Sequence, residues 1–121
     1  MSPEELSNRI ILGLIEEVTL HGPEGDKVVH ARIDSGAMKS SIDLRLASEL
    51  RLGPIVESKI IKSANGAKLR PIIEMEIMVG GTRVKEKFTM ADRTHMRYPV
   101  LIGQNILKKG FLIDPCKGGG T

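Results

Sequence analysis

Aromatic residues are almost missing from this chain of 121 residues, which has two phenylalanines, one tyrosine and no tryptophan. A core without large rings has to be filled by aliphatic side chains, with methionine occupying the irregular gaps. Proteins that stack nucleic-acid bases on rings need more aromatic residues than this chain offers. The single cysteine, Cys116, cannot form a disulfide within the chain and favours a reducing compartment.

The sequence also lacks an apolar run long enough for a transmembrane helix. Its longest run, residues 10–15, is far below the ~20 residues that a membrane span requires. Acidic residues precede this run at Glu4 and Glu5, where a secretory signal would carry positive charge. We therefore expect a cytoplasmic protein with no membrane partner.

Charge and composition are those of an ordinary globular protein. The chain has 18 lysines and arginines against 15 acidic residues, and 40% of its residues are hydrophobic. This hydrophobic fraction excludes wholesale disorder, and a net charge of +3 is too low for a dedicated nucleic-acid binder. A single hydrophobic core is enough to stabilise a chain of this length. We expect a single domain over 10–115, an N-terminal segment at 1–9 and a flexible tail at 116–121.

Alternating apolar residues and regularly spaced turn signals predict a mostly β fold. Asn65-Gly66 is the strongest short-range hairpin signal in the chain. A short helix is predicted to start at Ser2-Pro3, another helix covers 43–50, and a helical turn covers 104–109. A polar loop is predicted between Gly36 and Asp43. Strands are predicted over 10–20, 28–33, 55–63, 68–79, 82–90, 100–102 and 111–114. This order describes a small closed or partly closed β-barrel with one or two short helices.

Asp34 is the first candidate for chemistry. It ends an apolar strand and is followed by Ser35 and Gly36, a small hydroxyl residue and a glycine in a tight turn. Such a turn is also common where an aspartate only caps backbone amides, so the triplet has a structural interpretation beside the functional one. Farther along the chain, residues 100–103 repeat the pattern of an apolar strand that ends at a glycine before a short helix.

Three stretches together resemble the signatures of retropepsin-like aspartic proteases: residues 33–37, the hairpin tip at Asn65-Gly66 and residues 100–105. The stretch from Met90 to Pro115 is most similar to the RimB-like family, which is labelled "ATP-dependent zinc protease" and associated with glutamate-ligating enzymes of the ATP-grasp class. The resemblance covers residues 10–115. Similar sequences usually carry arginine where this chain has Gln104, in the region that braces the active site and the dimer.

Peptide hydrolysis by carboxylates needs two of them sharing one proton, because like charges about 3 Å apart cannot both ionise. The sequence has one Asp-Ser-Gly triplet and is too short for two barrels. The second carboxylate would come from a second copy, with two Asp34 residues facing each other across a two-fold axis. Ser35 would hold both loops in register, and Gly36 would let backbone amides approach the carboxylate. The prediction is a homodimeric aspartic endopeptidase, which the resemblance also implies.

The hairpin tip Ala64-Asn65-Gly66-Ala67 would be a flap that closes over the substrate, because its residues are small. An ordinary surface hairpin is the alternative. Lys59, Lys62, Lys68 and Arg70 lie on its two strands, where such charges most often only solvate exposed backbone. Their functional interpretation is an electropositive lid over an acidic peptide, in agreement with the glutamate-rich substrates that the resemblance implies.

Neither a metal nor a cofactor is expected. Catalytic zinc takes about three clustered ligands, and His21, His30 and His95 lack any such spacing. Arg93, His95 and Arg97 are candidates for substrate contact or for a structural role, the arginines because a guanidinium suits a carboxylate. An ion pair between Arg93 and the preceding aspartate would be one such structural role.

Two further interpretations stay open beside the protease. Ile102, Gly103, Gln104 and Asn105 are expected to support the active site and the dimer, and a dimer weakened by Gln104 would leave a fold relative that only binds peptide. The other interpretation is a non-catalytic β-barrel module that binds a peptide or associates with RNA or the ribosome. A pI near 9.2 and the lysine-bearing hairpin favour that module, while the shortage of aromatic rings makes nucleic acid an unfavoured partner.

Overall fold

A computed structural model describes residues 2–119 and shows a mostly β architecture. Its helices are α1 (Pro3–Ser7), α2 (Leu44–Glu49) and α3 (Gln104–Leu107), and a 3₁₀ turn covers Lys117–Gly119. Its strands are β1 (Ile10–Leu12), β2 (Ile15–Gly22), β3 (Gly25–Ile33), β4 (Ser40–Asp43), β5 (Ile55–Ser63), β6 (Gly66–Val79), β7 (Thr82–Ala91), β8 (Val100–Ile102) and β9 (Phe111–Ile113). The first residue of the predicted N-terminal segment and the last two residues of the predicted tail lie outside the described residues.

Six strands close a barrel in the order β2-β3-β8-β4-β7-β6, because β6 pairs back onto β2. Outside this ring, β5 pairs with the free edge of β6, and β1 forms a separate parallel pair with β9. The β3–β8 and β4–β7 pairs are parallel, whereas the β2–β3, β5–β6 and β6–β7 hairpins are antiparallel. The predicted small barrel with short helices is confirmed, and it is closed.

Alternation along the strands places one face of each strand in an aliphatic core. In β6, Ile73, Met75, Ile77 and Val79 are buried, while the residues between them are half-buried. Phe88 on the adjacent strand is fully buried. Branched aliphatic and methionine side chains therefore fill most of the interior, as the shortage of rings requires.

The apolar segment predicted as one strand over 10–20 is two strands, so that prediction is wrong. β1 ends at Leu12 and pairs with β9, whereas β2 begins at Ile15 and pairs with β3. The chain changes partners at Gly13, where a Cβ would lie 2.5 Å from the carbonyl oxygen of Lys117. A side chain would not fit there, so glycine permits this close approach at the break between the two strands.

The polar loop predicted between Gly36 and Asp43 contains β4, which the sequence pattern did not indicate. Its four residues complete the barrel by pairing in parallel with β7 and antiparallel with β8. Ser40 and Ile42 are buried there. At the end of the strand, Asp43 caps α2, because its Oδ2 accepts a hydrogen bond from Leu46 N at 3.3 Å.

The other predicted elements are confirmed, with ends that shift by a few residues. The β5–β6 hairpin turns at Ala64 and Asn65, where Asn65-Gly66 predicted a turn. Among residues 2–119, no helix combines the length and the apolar character needed to cross a bilayer. The cytoplasmic location stays a prediction.

Candidate active site

The parallel strands β3 and β8 end together and bring two distant segments to one edge of the barrel. Ile33 pairs with Ile102, so the residues that follow, Asp34 and Gly103, leave the sheet side by side. Asp34 N donates a hydrogen bond to the Ile102 carbonyl at 2.9 Å. The Asp-Ser-Gly turn after β3 and the glycine after β8 therefore lie next to each other.

Asp34 begins a tight turn in which the backbone holds its carboxylate. Gly36 N donates to Asp34 Oδ1 at 2.9 Å, and Ala37 N donates to the Asp34 carbonyl at 3.3 Å. A Cβ on Gly36 would lie 3.1 Å from the same Oδ1, a crowded contact that glycine avoids. Asp34 is half-buried, whereas Ser35 and Gly36 are exposed. The carboxylate is therefore oriented and still accessible to solvent.

The start of α3 braces this turn. Gln104 N donates to the Ala37 carbonyl at 2.8 Å, and Asn105 N donates to the Met38 carbonyl at 3.2 Å. The first amides of a helix have no partner within it, and here the turn supplies their acceptors. Gln104 Nε2 adds a third hydrogen bond to the Ser35 carbonyl at 2.8 Å. This bracing goes well beyond what an aspartate-capped turn needs for itself.

A buried polar network lies next to the brace. The fully buried Ser40 accepts a hydrogen bond from Gly103 N at 2.9 Å and donates one to Asn105 Oδ1 at 2.7 Å. Asn105 Nδ2 in turn donates to the Lys87 carbonyl on β7 at 3.0 Å. Sequence reasoning missed Ser40, because a single serine in a segment that looks like a loop carries no spacing signal.

The β5–β6 hairpin extends beyond the barrel. β7 pairs with β6 from Ile72 onward, so residues 58–71, here called the arm, form a two-stranded ribbon. Its tip is Ala64-Asn65, and Gly66 follows with a φ of 112°, which favours glycine. The candidate flap residues 64–67 therefore lie at the exposed end of a ribbon, and their role as a flap stays a prediction.

A cavity of about 350 Å³ lies between the arm, β4 and the loop that follows β7. Lys59 and Arg70 are direct partners across the arm, and both line this cavity. Lys39 and Arg93 line its other walls, and Asp92 is the one acidic residue in the described lining. The cavity is therefore electropositive, and the sequence did not single out Lys39 as part of it.

Arg93 joins the loop after β7 to β4 through hydrogen bonds. Its Nε donates to the Tyr98 carbonyl at 3.0 Å, its Nη1 donates to Ser41 Oγ at 3.1 Å, and its backbone N donates to Asp43 Oδ1 at 2.9 Å. Burial is the main cause that lowers the pKa of the Arg93 guanidinium. These contacts tie the loop after β7 to β4, which favours the structural alternative for this residue.

The pairing considered between Arg93 and Asp92 is not what the structure shows. Asp92 Oδ1 instead accepts hydrogen bonds from Thr94 Oγ1 at 2.5 Å and Thr94 N at 3.0 Å. The hydrogen bond from the Thr94 hydroxyl, followed in size by the one from the Thr94 amide, lowers the pKa of Asp92. The aspartate therefore stabilises its own loop.

His95 and Arg97 are exposed on that same loop. The Arg97 guanidinium lies 5.6 Å from the ring centroid of Tyr98, within the range of a cation–π contact. The other two histidines are paired locally, His21 Nδ1 with Asp26 at 2.8 Å and His30 with a glutamate across the hairpin. Within residues 2–119, no three histidine, cysteine, aspartate or glutamate side chains gather as metal ligands would.

Comparison with known proteins finds a matching family and solved structures with a similar fold. The family model described as "Retropepsin-like aspartic endopeptidase RimB" matches residues 45–118, a stretch that begins after the Asp34 turn. In solved structures, a protein of unknown function from Legionella pneumophila has a TM-score of 0.60 at 20% identity, covering 87% of this chain and 92% of that one. The simian foamy virus protease has a TM-score of 0.59 at 17% identity, covering 78% and 91%. Both likenesses support the retropepsin-like barrel.

Two curated relatives carry the name "Probable alpha-L-glutamate ligase". The protein from Shewanella pealeana is 31% identical and that from Shewanella halifaxensis 30% identical, each over 91% of this chain. This chain spans only 29% of the length of either relative. The family match covers more than half of the chain and agrees with the barrel, so the resemblance seen in the sequence is confirmed. The chain belongs to the RimB-like family of retropepsin-like aspartic endopeptidases.

Proposed function

We propose that this chain is an aspartic endopeptidase that works as a homodimer, with one Asp34 from each copy. The observation that carries the proposal is the braced turn: it keeps a half-buried carboxylate oriented and accessible at the end of a barrel strand. A turn that served only to reverse the chain would not need three hydrogen bonds from a helix far along the sequence.

Two facing Asp34 carboxylates would share one proton, because the second ionisation is opposed by the charge of the first. The ionised aspartate takes a proton from a water molecule held between them, and that water attacks the peptide carbonyl carbon. The protonated partner gives its proton to the carbonyl oxygen. The roles then reverse, and the leaving amine is protonated as the C–N bond breaks. The two apparent pKa values belong to the pair.

A groove beside the turn supports the homodimer. It has a volume of about 530 Å³ and contains Ser35 and Gln104 together with the apolar side chains of Leu107, Leu112 and Ile113. A two-fold axis that brings two Asp34 residues together passes close to Ser35, so surfaces next to Ser35 face their own copies. Apolar side chains there gain stabilisation when a second copy covers them.

The preferred substrate in this proposal is an acidic, glutamate-rich peptide. Lys59 and Arg70 face the same cavity as Lys39 and Arg93, and like charges directly across a ribbon destabilise it unless something compensates. Glu57 provides part of that compensation, because Lys39 and Lys59 both act electrostatically on its carboxylate, and a carboxylate side chain of the substrate would add to it. The relatives named "Probable alpha-L-glutamate ligase" point to the same chemistry, since that name refers to glutamate.

The test is cleavage of fluorogenic peptides that contain glutamate runs, beside matched peptides with glutamine. Asp34→Asn should lower kcat by about 10²- to 10⁴-fold, because it removes the general acid and base together. Asp26→Asn is the matched control, because Asp26 lies at the other end of β3 and should leave cleavage unchanged. Native mass spectrometry should show twice the chain mass of 13.2 kDa.

Equal cleavage by the wild type and Asp34→Asn would contradict the proposal. So would a protein that remains monomeric at every concentration at which it is active. Salt-sensitive RNA binding without peptide cleavage, unchanged by Asp34→Asn, would instead support the non-catalytic binding module.

A further inference from the structure

Ser40 is a fully buried polar residue, and its hydroxyl both accepts and donates a hydrogen bond. A buried hydroxyl costs free energy unless its donor and acceptor capacity are satisfied. Ser40 Oγ meets this requirement by accepting from Gly103 N and donating to Asn105 Oδ1. Alanine at this position would leave Gly103 N and Asn105 Oδ1 without these partners, so the hydroxyl does more than fill space in the barrel.

The hydrogen bonds around Ser40 form a chain with one direction. It runs from Gly103 N through Ser40 Oγ to Asn105 Oδ1, and from Asn105 Nδ2 to the Lys87 carbonyl. Each donor has a defined acceptor, so the chain of hydrogen bonds links β4, β7 and the start of α3. The network therefore fixes the position of Gly103 relative to the barrel.

Gly103 is also the point on which the aspartate turn depends. The residue before it, Ile102, accepts the hydrogen bond from Asp34 N, and the residue after it, Gln104, donates to the Ala37 carbonyl. A shift of Gly103 would therefore move both ends of the turn. The network around the fully buried Ser40 holds the aspartate turn through this one residue.

We propose that Ser40 and Asn105 are positioning residues, which keep the two Asp34 carboxylates at the separation that the shared proton requires. The proposal rests on the proposed function, because positioning has meaning only for a reacting pair. Displacement of a reacting group by about 1 Å can cost about a hundredfold in rate. A network that touches neither substrate nor carboxylate can therefore control kcat.

The experiment compares Ser40→Ala and Asn105→Ala in the full chain, using the glutamate-run peptide as the probe. Each variant should lower kcat by about 10- to 100-fold and leave KM within about twofold, because substrate contacts remain. The double variant should be no slower than the worse single variant, because the network acts as a unit. Ser48→Ala, an exposed serine on α2, is the matched control and should behave as the wild type.

The pH profile of kcat separates positioning from general stability. Two close carboxylates have widely separated apparent pKa values, and loosening the pair should bring the two limbs of the profile closer together. A loss of folded protein alone would scale kcat without moving the limbs. If Ser40→Ala does not fold, Asn105→Ala at its half-buried position still provides the test.

Folded variants with wild-type kcat, or with a lowered kcat and an unmoved pH profile, would overturn the positioning role. Failure of the proposed function is recognised separately. In that case the wild type itself shows no cleavage that depends on Asp34, whatever the Ser40 and Asn105 variants do.

Discussion

The two sides of the candidate site are held in opposite ways. On one side, the carbonyls of Ser35, Ala37 and Met38 all accept hydrogen bonds from the start of α3, and a buried network stands behind them. On the other side, the arm is a ribbon of two strands beyond the reach of β7. Its cross-strand partners Ile60 and Leu69 are 62% and 65% exposed.

This contrast matches what the two sides would have to do. A carboxylate pair works only at a defined separation, so the turn that carries it gains from several bonds that fix one geometry. A cover over the substrate has to open. A two-stranded ribbon is only marginally stable on its own, so it can open locally at a small free-energy cost. Ser40 of the buried network lines the same cavity as Lys59 and Arg70 of the arm, so a rigid and a weakly held part of the fold meet there.

The largest expected effect comes from adding a methyl group to the braced side. In Gly103→Ala the Cβ would overlap the Lys39 carbonyl and lie 2.8 Å from that of Ala37. Overpacking against backbone should lower the free energy of unfolding by about 3 kcal/mol and abolish cleavage. Urea denaturation measures the first effect and the peptide assay the second.

Gly66→Ala is the matched change on the arm. No described atom lies within 4 Å of the Cβ position, so its cost is the backbone penalty at a φ of 112°, about 1–2 kcal/mol and confined to the tip. Global stability should fall less than in Gly103→Ala. Equal losses in the two variants would mean that both sides of the site are equally rigid.

The sequence predicts the arm better than the braced side, for a physical reason. Turn chemistry is local: Asn65-Gly66 favours a tight hairpin whatever surrounds it, and β5 and β6 follow from alternation. β4 has only four residues and is held by partners from two distant strands, so no local pattern reveals it. The break at Gly13 also depends on a residue remote in sequence, Lys117, whose carbonyl passes close by.

The same distinction applies to the candidate site. Asp34 and Gly103 stand out because each ends an apolar strand, and their meeting follows from parallel pairing. Ser40 and Lys39 carry no such mark, since their importance arises from the groups that folding brings to them. Arg93 was visible as a residue type, but its partners Ser41 and Tyr98 could not be read from spacing.

An intermediate effect is expected from the charges on the arm. Lys59→Gln and Arg70→Gln remove positive charge from the cavity and should each raise KM for the glutamate-run peptide by about 3- to 10-fold, with kcat within about twofold. Lys62→Gln is the matched control, because Lys62 pairs with Ala67 on the other face of the ribbon. Added salt should raise the KM of the wild type and hardly affect the KM of the variant that combines Lys59→Gln with Arg70→Gln. An equal rise in KM for the glutamine peptide would show that these side chains do not recognise the acid.

The smallest effect is expected where the two sides meet, at Lys87. Its carbonyl accepts from Asn105 of the buried network, and its Nζ lies 2.8 Å from Glu57 Oε2 at the base of the arm. The hydrogen bond from Lys87, and then its charge, lower the pKa of Glu57 below 4.5. A lowered folded-state pKa stabilises the protein above the unfolded-state value, and this contribution disappears as the pH falls through the folded-state value.

Glu57→Gln should therefore lower Tm at neutral pH, and only slightly because the pair is exposed. The difference from the wild type should shrink as the pH falls below 4.5 and through the lowered pKa of Glu57. The difference in Tm between Lys87→Gln and the wild type should likewise disappear as the pH falls. The same pair raises the pKa of Lys87 above 10.5, so its contribution should also fade at strongly alkaline pH. Circular dichroism melts across the pH range measure both. A Tm difference that stays constant down to pH 3 would show that the arm is anchored by the packing of Glu57 and not by its charge, and the contrast between the two sides would then rest on hydrogen bonds alone.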